Sequence, residues 1–217
     1  YAAGFRNISI DLMLGLAQQS EAVWQADLDA AAALPVTHIS AYLLKIEPRT
    51  PFGIHPPELL DDDASADRWM QMHSALTEHG FRHYEISNFA KTGFESRHNC
   101  KYWALIPYYG IGPAAHSCHD GKRFAVPRDL EAFCASEHQP YEITEPDAES
   151  YTEHIMLGLR LADGILLDDL PECRVQLLKN AKPFIPKLLS SDGVRLTMTP
   201  EGWLVSNSLL VRLLSGL

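Results

Sequence analysis

Two short stretches of the sequence concentrate side chains that bind metals or pack against flat aromatic ligands. HNCKYW covers residues 98–103 and HSCH covers residues 116–119. Imidazole and thiolate groups are common zinc ligands, but structural zinc sites usually take them in pairs about two to four residues apart, which this spacing matches poorly. A haem iron needs only one or two axial ligands, commonly His or Cys, and aromatic neighbours suit its flat apolar ring. The residues alone leave zinc, haem and plain packing of the aromatic side chains open. The candidate ligands are His98, Cys100, His116, Cys118 and His119.

Carboxylates near predicted strands form a second set of candidates. Asp11 lies within an apolar stretch, where a buried charge needs a partner because its desolvation is costly. That partner is either a structural hydrogen bond or a ligand hydroxyl at the carboxyl end of a parallel sheet, where sites cluster. Glu47 and Glu85 accompany the next two predicted strands, and three such carboxylates favour a shared pocket without indicating a reaction.

The elements that would position these residues alternate between strand and helix. Residues 7–16, 37–46 and 81–90 have the apolar patterns of strands, and the first reads as covered on both faces. Helices are predicted after Ser20 and from Asp61, each with one apolar stripe. This order predicts an α/β fold with right-handed crossovers and a parallel sheet, either doubly wound or part of a barrel. The stripes are Trp24, Leu28 and Ala31 in the first helix, and Trp69, Met72 and Leu76 in the second.

The pattern changes in the second half of the chain. Residues 90–127 are rich in Gly, Pro, aromatic and His residues, which is typical of a long functional loop. Helices are predicted at 127–136 and 147–164, the latter closed by Gly164. The stretch from residue 194 reads as strand, a turn at PEG, strand and terminal helix, which is the plan of a winged-helix tail.

Composition and charge restrict the class of protein. The 217 residues carry a net charge of −10, which argues against nucleic acid as the main partner because phosphate contacts dominate such binding. The tail from Arg174 is +4, so a winged-helix nucleic-acid module stays as a minor alternative. Four widely spaced cysteines without a CxxC fit a reducing cytoplasm, and no apolar run is long enough to predict a transmembrane segment.

The order of several segments resembles a known family over essentially the whole chain. ISIDLMLGLAQQ, HISAYLLKIEPRTPF, HYEISNFAK, YGIGPAAHS, YTEHIMLGLRLADGI and RLTMTPEGWLVSN are similar to the radical S-adenosylmethionine proteins of the oxygen-independent coproporphyrinogen III oxidase-like family. Within that family, the HN-x-x-YW pattern of HNCKYW is similar to the mark of the HemW-type branch, whose members are regarded as haem chaperones.

The resemblance implies a division of the chain and roles for individual residues. It implies a partial (β/α) barrel over residues 1–125 and the family's mainly helical C-terminal domain, with the winged-helix-like end, over 126–217. Contacts to S-adenosylmethionine carry over to Asp11, Lys45 and His116. The haem motif carries over to His98, Asn99, Tyr102 and Trp103, with His98 as the iron-ligand candidate.

The sequence also departs from the family's pattern. The C-x-x-x-C-x-x-C loop that holds the family's 4Fe-4S cluster is absent and would precede Tyr1, so the chain is expected to be a fragment that is inactive alone. Ala17 stands where the family usually has Pro, Ala114 stands where it usually has Gly, and VPRD replaces an asparagine-containing segment, which puts local loop geometry in question.

Two functions of different classes follow from the resemblance. The first is a HemW-like protein that binds haem and transfers it to an acceptor protein. The alternative is a coproporphyrinogen III oxidase of porphyrin biosynthesis, against which HNCKYW argues because true oxidases are not expected to carry it. Haem or a porphyrin is the expected partner. An incomplete barrel exposes a sheet edge, which leaves a homodimer and aggregation as alternatives and the oligomeric state open.

Overall fold

The computed structural model describes residues 1–217, which divide into two compact units. The first unit comprises Tyr1–Glu95 and Thr199–Ser206, and the second comprises Ser96–Met198 and Asn207–Leu217. The division at residues 125–126 that the resemblance implies stays a prediction.

The elements follow one another in a mixed α/β order. The strands are β1 (Ser9–Leu14), β2 (His38–Leu43), β3 (Arg82–Glu85), β4 (Asn88–Ala90), β5 (His116–His119), β6 (Lys122–Ala125), β7 (Glu142–Glu145), β8 (Ile165–Leu166), β9 (Leu189–Ser191) and β10 (Arg195–Met198). The helices are α1 (Glu21–Ala33), α2 (Pro51–Ile54), α3 (Asp62–Glu78), α4 (Arg97–Trp103), α5 (Leu130–Ala135), α6 (Tyr151–Gly158), α7 (Arg174–Ala181), α8 (Pro200–Leu204) and α9 (Ser206–Leu213).

A four-stranded sheet in the order β1-β2-β4-β3 forms the centre of the first unit. β1 and β2 are parallel, as predicted, but residues 81–90 do not form one parallel strand. They form the β3–β4 hairpin, and β4 pairs antiparallel with β2. Glu85 explains the reversal, because its carboxylate accepts hydrogen bonds from the Ser87 amide at 3.0 Å and from the Asn88 side chain.

Helices α1 and α3 begin where the sequence predicts and bury the predicted stripes. Ser20 caps α1 by accepting a hydrogen bond from the Val23 amide, and Asp61 caps α3 by accepting one from the Ala64 amide. Both stripes are buried, and each large apolar side chain removed from water contributes roughly 1.5–3 kcal/mol.

Strand β1 is covered on one face only, which corrects the expectation of two covered faces. Ile10 and Leu12 are half-buried and Leu14 is fully buried, whereas the alternating Asp11 and Met13 are exposed. β1 ends the sheet order, so it has a strand neighbour on one side only.

The second unit contains two three-stranded antiparallel sheets, β5-β6-β7 and β8-β10-β9. The region 90–127 is therefore not one long loop, since α4, β5 and β6 lie in it. The predicted helix at 147–164 is shorter, because α6 ends at Gly158. Gly164 has the expected positive φ of 59°, but it serves a close approach to the Leu196 carbonyl rather than the end of that helix.

The strand predicted after PEG is wrong. Residues 200–204 form α8, whose start carries a complete helix signal: Thr199 accepts a hydrogen bond from the Gly202 amide at 3.0 Å, Pro200 occupies the first turn and Glu201 follows it. The sequence context had suggested a turn because Pro and Gly are close together, yet here the same residues begin a helix.

None of the helices combines the length and the apolar character that crossing a membrane requires.

Candidate functional site

The HNCKYW stretch forms helix α4. Ser96 precedes the helix as its N-cap and accepts a weak hydrogen bond from the Asn99 amide at 3.4 Å. Residues four apart lie on the same side of a helix, so His98 and Tyr102 share one side and Asn99 and Trp103 share the next. The motif therefore presents two pairs of side chains rather than one cluster.

His98 and Tyr102 form an exposed pair. The Tyr102 hydroxyl lies 2.8 Å from His98 Nε2, and the two rings meet edge to face at 5.1 Å between centroids. Tyr102 in turn meets Tyr108 edge to face at 4.6 Å, and burial raises the pKa of the Tyr108 hydroxyl. The hydrogen bond with Tyr102 therefore occupies Nε2 of His98.

Trp103 faces a different environment. It lines a cavity of about 210 Å³ together with residues of α6 and the segment that follows it, among them Gly158 and Leu161. The Arg160 guanidinium lies 5.5 Å from the Trp103 ring centroid, and Trp103 Nε1 is buried without a hydrogen-bond partner. Ligand pockets typically have about 300 Å³ or more, so this cavity does not hold a porphyrin, and Trp103 anchors α4 to α6.

The three residues matched to S-adenosylmethionine contacts have exposed positions. Asp11 is exposed on β1, so the expectation that it is buried and needs a partner is wrong. Lys45 makes an exposed ion pair with Glu47 at 3.1 Å. Asp11 pairs in register with Ser40, and Lys45 follows Ser40 by five residues, beyond the end of β2, which is roughly 16 Å of extended chain. Asp11 and Lys45 belong to the first unit, and His116, exposed at the start of β5, belongs to the second.

The shared pocket expected from three carboxylates is not formed. Asp11 is open to solvent, Glu47 pairs with Lys45, and Glu85 is 1% exposed and bonded within its own hairpin. Since β2 and β4 separate β1 from β3, the Asp11 and Glu85 positions are three strand spacings apart, roughly 14 Å.

The cysteines do not suit an iron–sulfur cluster. Cys118 and Cys173 are buried, and burial raises the pKa of both thiols, whereas thiolates are the groups that bind such clusters. No three His, Cys, Asp or Glu side chains come together as a metal-binding group. The residues of this chain therefore do not fit the cluster that the family resemblance implies.

The two alanines at family Pro and Gly positions both lie in turns. Ala17 follows Leu16 in a turn closed by a hydrogen bond from the Gln19 amide to the Leu16 carbonyl at 3.1 Å. Ala114 adopts a positive φ of 61°, the conformation that glycine takes most easily. Ala114 therefore has a glycine-like backbone conformation, with some backbone strain.

One side-chain pair was missed by the sequence reasoning. His119 and Asp120 lie at the β5–β6 turn, where His119 Nδ1 is 3.0 Å from an Asp120 carboxylate oxygen. The signal was present, because Asp-Gly at 120–121 between two apolar runs is a strong hairpin pattern. His119 had been considered only as a weak zinc candidate.

Comparison with known proteins gives one consistent family. No family model matches the sequence. Curated relatives named heme chaperone HemW include that of Synechocystis sp., 39% identical over 182 residues (76% of this chain and 43% of the relative), and that of Lactococcus lactis, 30% identical over 226 residues (98% and 59%). The relative from Escherichia coli with the same name is 46% identical over 113 residues (52% and 30%). The chain thus spans about half the length of the curated relatives it matches.

A solved structure supports the same assignment at the level of the fold. The structure titled "Coproporphyrinogen III oxidase (HemN) from Escherichia coli is a Radical SAM enzyme" matches all of this chain and 56% of that chain with a TM-score of 0.70. At 14% identity this likeness shows the fold alone. The relatives show that the chain belongs to the HemW family, and the solved structure shows that it shares the fold of the HemN oxidase.

Proposed function

We propose that this chain carries the haem-binding segment of a protein that binds haem and transfers it to an acceptor protein. The observation that carries the proposal is helix α4, which presents His98 and Tyr102 together on an exposed side. The relatives named heme chaperone HemW support the same function.

Haem would lie against the His98 side of α4. His98 supplies the imidazole for the iron, and the edges of Tyr102 and Tyr108 supply aromatic surface beside it. Trp103 fixes the orientation of α4 through its packing near α6, and Asn99 begins the same side of the helix. An exposed site suits transfer, since a haem that remains accessible on one face can be passed on.

Of the other two cofactors that the resemblance implies, S-adenosylmethionine has candidate contacts in this chain and the 4Fe-4S cluster has none. Asp11, Lys45 and His116 are proposed contacts to S-adenosylmethionine: the Asp11 carboxylate can accept a hydrogen bond from a hydroxyl, and Lys45 can offer positive charge. A 4Fe-4S cluster supplies an electron to S-adenosylmethionine when present, but no residue set of this chain fits it. We place the protein in the cytoplasm, in keeping with four cysteines that form no disulfide, and propose a homodimer through the open edge of β1.

The test is a haemin titration of the full chain, followed by the Soret absorption. We expect a saturable shift in the wild type and binding at least about tenfold weaker at the α4 site in His98→Ala, because an iron–nitrogen bond is lost. His55→Ala is the matched control, since His55 is an exposed histidine outside the motif.

Identical titrations of wild type and His98→Ala would remove His98 from the proposal. A product assay on coproporphyrinogen III, carried out on a form of the protein with a 4Fe-4S cluster bound, separates the alternative, because oxidative decarboxylation would make the protein an oxidase instead.

A further inference from the structure

One face of the β5-β6-β7 sheet carries apolar and aromatic side chains that are exposed or half-buried. Tyr109 is 70% exposed, Ile143 is 57% exposed and Tyr141 is 47% exposed. Phe124 pairs in register with Ile143, so the two share a face, and the Phe124 ring contacts those of His119 and Tyr141. We call this surface, formed by Tyr109, His119, Phe124, Tyr141 and Ile143, the aromatic face.

His119 is held in a fixed orientation in the middle of the aromatic face. Its ring stacks on Phe124 at 4.6 Å and 17° and lies 4.6 Å from the Tyr109 ring. Nδ1 is 3.0 Å from the Asp120 carboxylate, which accepts its hydrogen and so leaves the lone pair on Nε2. Nε2 makes no hydrogen bond and is not fully buried, in a side chain that is 21% exposed.

The turn beside His119 places a positive charge at the same face. Asp120 and Gly121 have φ of 50° and 69°, the geometry of a tight hairpin turn in which both central residues are left-handed. This turn makes Lys122 the cross-strand partner of His119, so the exposed Lys122 side chain starts from the same face of the sheet as His119.

The Tyr109 side of the aromatic face is preorganised by one glutamine. Gln139 Nε2 lies within hydrogen-bonding distance of both the Gly110 carbonyl and the Tyr141 hydroxyl, at 2.8 Å each, and its carbonyl accepts a hydrogen bond from the Gly112 amide at 2.9 Å. These bonds tie the loop after Tyr109 to the chain before Tyr141, so the aromatic side chains converge before any ligand binds.

We propose that the aromatic face binds an iron porphyrin, with His119 Nε2 as an axial ligand and Lys122 paired with a porphyrin carboxylate. The lone pair of Nε2 forms the iron–nitrogen bond and a water leaves the ferric iron, with no change in oxidation state. A bare metal ion suits the face less well, because no group of three His, Cys, Asp or Glu exists there, whereas a porphyrin brings its own four nitrogens. Flat apolar rings also match the exposed aromatic surface.

This inference rests on the proposed function, in that haem is the cargo, and it adds a second binding position. Tyr108 contacts Tyr102 of the α4 site, whereas the next residue, Tyr109, contacts His119. Successive residues in an extended segment point to opposite faces, so the two histidines serve separate positions. A protein that passes haem on can use both, one to receive it and one to release it.

The test compares haemin titrations of the full chain, read by the Soret band, for wild type and variants. We expect wild type to show two spectral components, His119→Ala to lose one and His98→Ala to keep that one. His138→Ala is the matched control, an exposed histidine of the same unit. Lys122→Gln should weaken the His119 component about two- to fivefold, as expected for an exposed ion pair. If His119→Ala titrates like the wild type, the inference is wrong.

A second variant distinguishes iron ligation by His119 from a purely structural role of its side chain. His119→Cys should keep haemin bound but move the Soret band to that of a thiolate ligand, which altered packing cannot do. An unshifted band in His119→Cys would overturn the inference. Loss of all haemin uptake in His98→Ala, with none lost in His119→Ala, would reject this second position and support the proposed function. No uptake by the wild type would reject both.

Discussion

The buried histidine pair of the first unit shows how one residue's surroundings set its chemistry. His83 is 6% exposed, stacks on Phe89 at 3.9 Å between ring centroids and lies 2.9 Å from His73 through their Nδ1 atoms. Burial, and then the neighbouring His73, lower the pKa of His83 to about 3. Burial also lowers the pKa of His73. Both rings are therefore neutral at physiological pH, and one donates a hydrogen bond to the other.

This pair predicts acid sensitivity of the first unit. The folded-state pKa of His83 lies below its unfolded value of 6.5, so the unfolded chain binds the proton first as pH falls. The free energy of unfolding should be level above about pH 6.5 and fall below it, by at most about 1.4 kcal/mol per pH unit from His83. Denaturant unfolding followed by tryptophan fluorescence at several pH values measures this slope.

His83→Leu should flatten that slope, because the titrating group is gone while an apolar side chain still fills the site. His55→Leu is the control, since His55 is exposed and its loss should leave the slope unchanged. An equally steep slope in His83→Leu would show that other groups cause the acid sensitivity.

At the scale of elements, helix α3 is the clearest case of a local sequence signal that agrees with the fold. Asp61 caps it, two further acidic residues follow in the first turn, and one side buries the predicted stripe of Trp69, Met72 and Leu76. α8 shows the same chemistry at Thr199, but there the Pro-Glu-Gly sequence was read as a turn. A helix start is therefore best predicted when the capping residue, the residues of the first turn and the buried apolar side are considered together.

The cap of α3 gives a prediction at this scale. Asp61→Ala should lower the free energy of unfolding by about 1 kcal/mol, because the Ala64 amide loses its acceptor at 2.8 Å. Asp61→Asn should be close to wild type, since its carbonyl can still cap. Asp62→Ala, one residue later, controls for the loss of charge alone. Chemical denaturation ranks the three variants, and equal effects of Asp61→Ala and Asp62→Ala would assign the contribution to charge rather than capping.

At the scale of the whole molecule, the distribution of cysteines bears on the 4Fe-4S cluster that the family resemblance implies. The four cysteines form no disulfide and all lie in the second unit, with two of them buried. The haem-handling residues proposed here also lie in that unit. Haem binding by this chain can therefore be measured without a 4Fe-4S cluster being present.

The corresponding prediction concerns iron and sulfide. Anaerobic reconstitution of this chain with both should leave no bound cluster after gel filtration, because the thiols are dispersed and burial raises the pKa of the Cys118 and Cys173 thiols. Iron and sulfide analysis and the visible spectrum check this. A stable chromophore that Cys100→Ser abolishes would contradict it.

The sequence by itself determined the α/β class, the starts and buried stripes of α1 and α3, and the parallel pairing of β1 with β2. These depend on local capping and periodicity, which neighbouring residues encode. It also determined the family, because the order of motifs is a property of the chain itself.

Only the tertiary structure decided which candidate residues meet. It separated His98 and Tyr102 from Trp103, turned residues 81–90 back into a hairpin, exposed Asp11, and placed His119 between two aromatic rings. The physical reason is that each outcome depends on strand register, on helix orientation and on contacts between residues distant in sequence. Such contacts are set by packing across the whole unit, which no short stretch of sequence records.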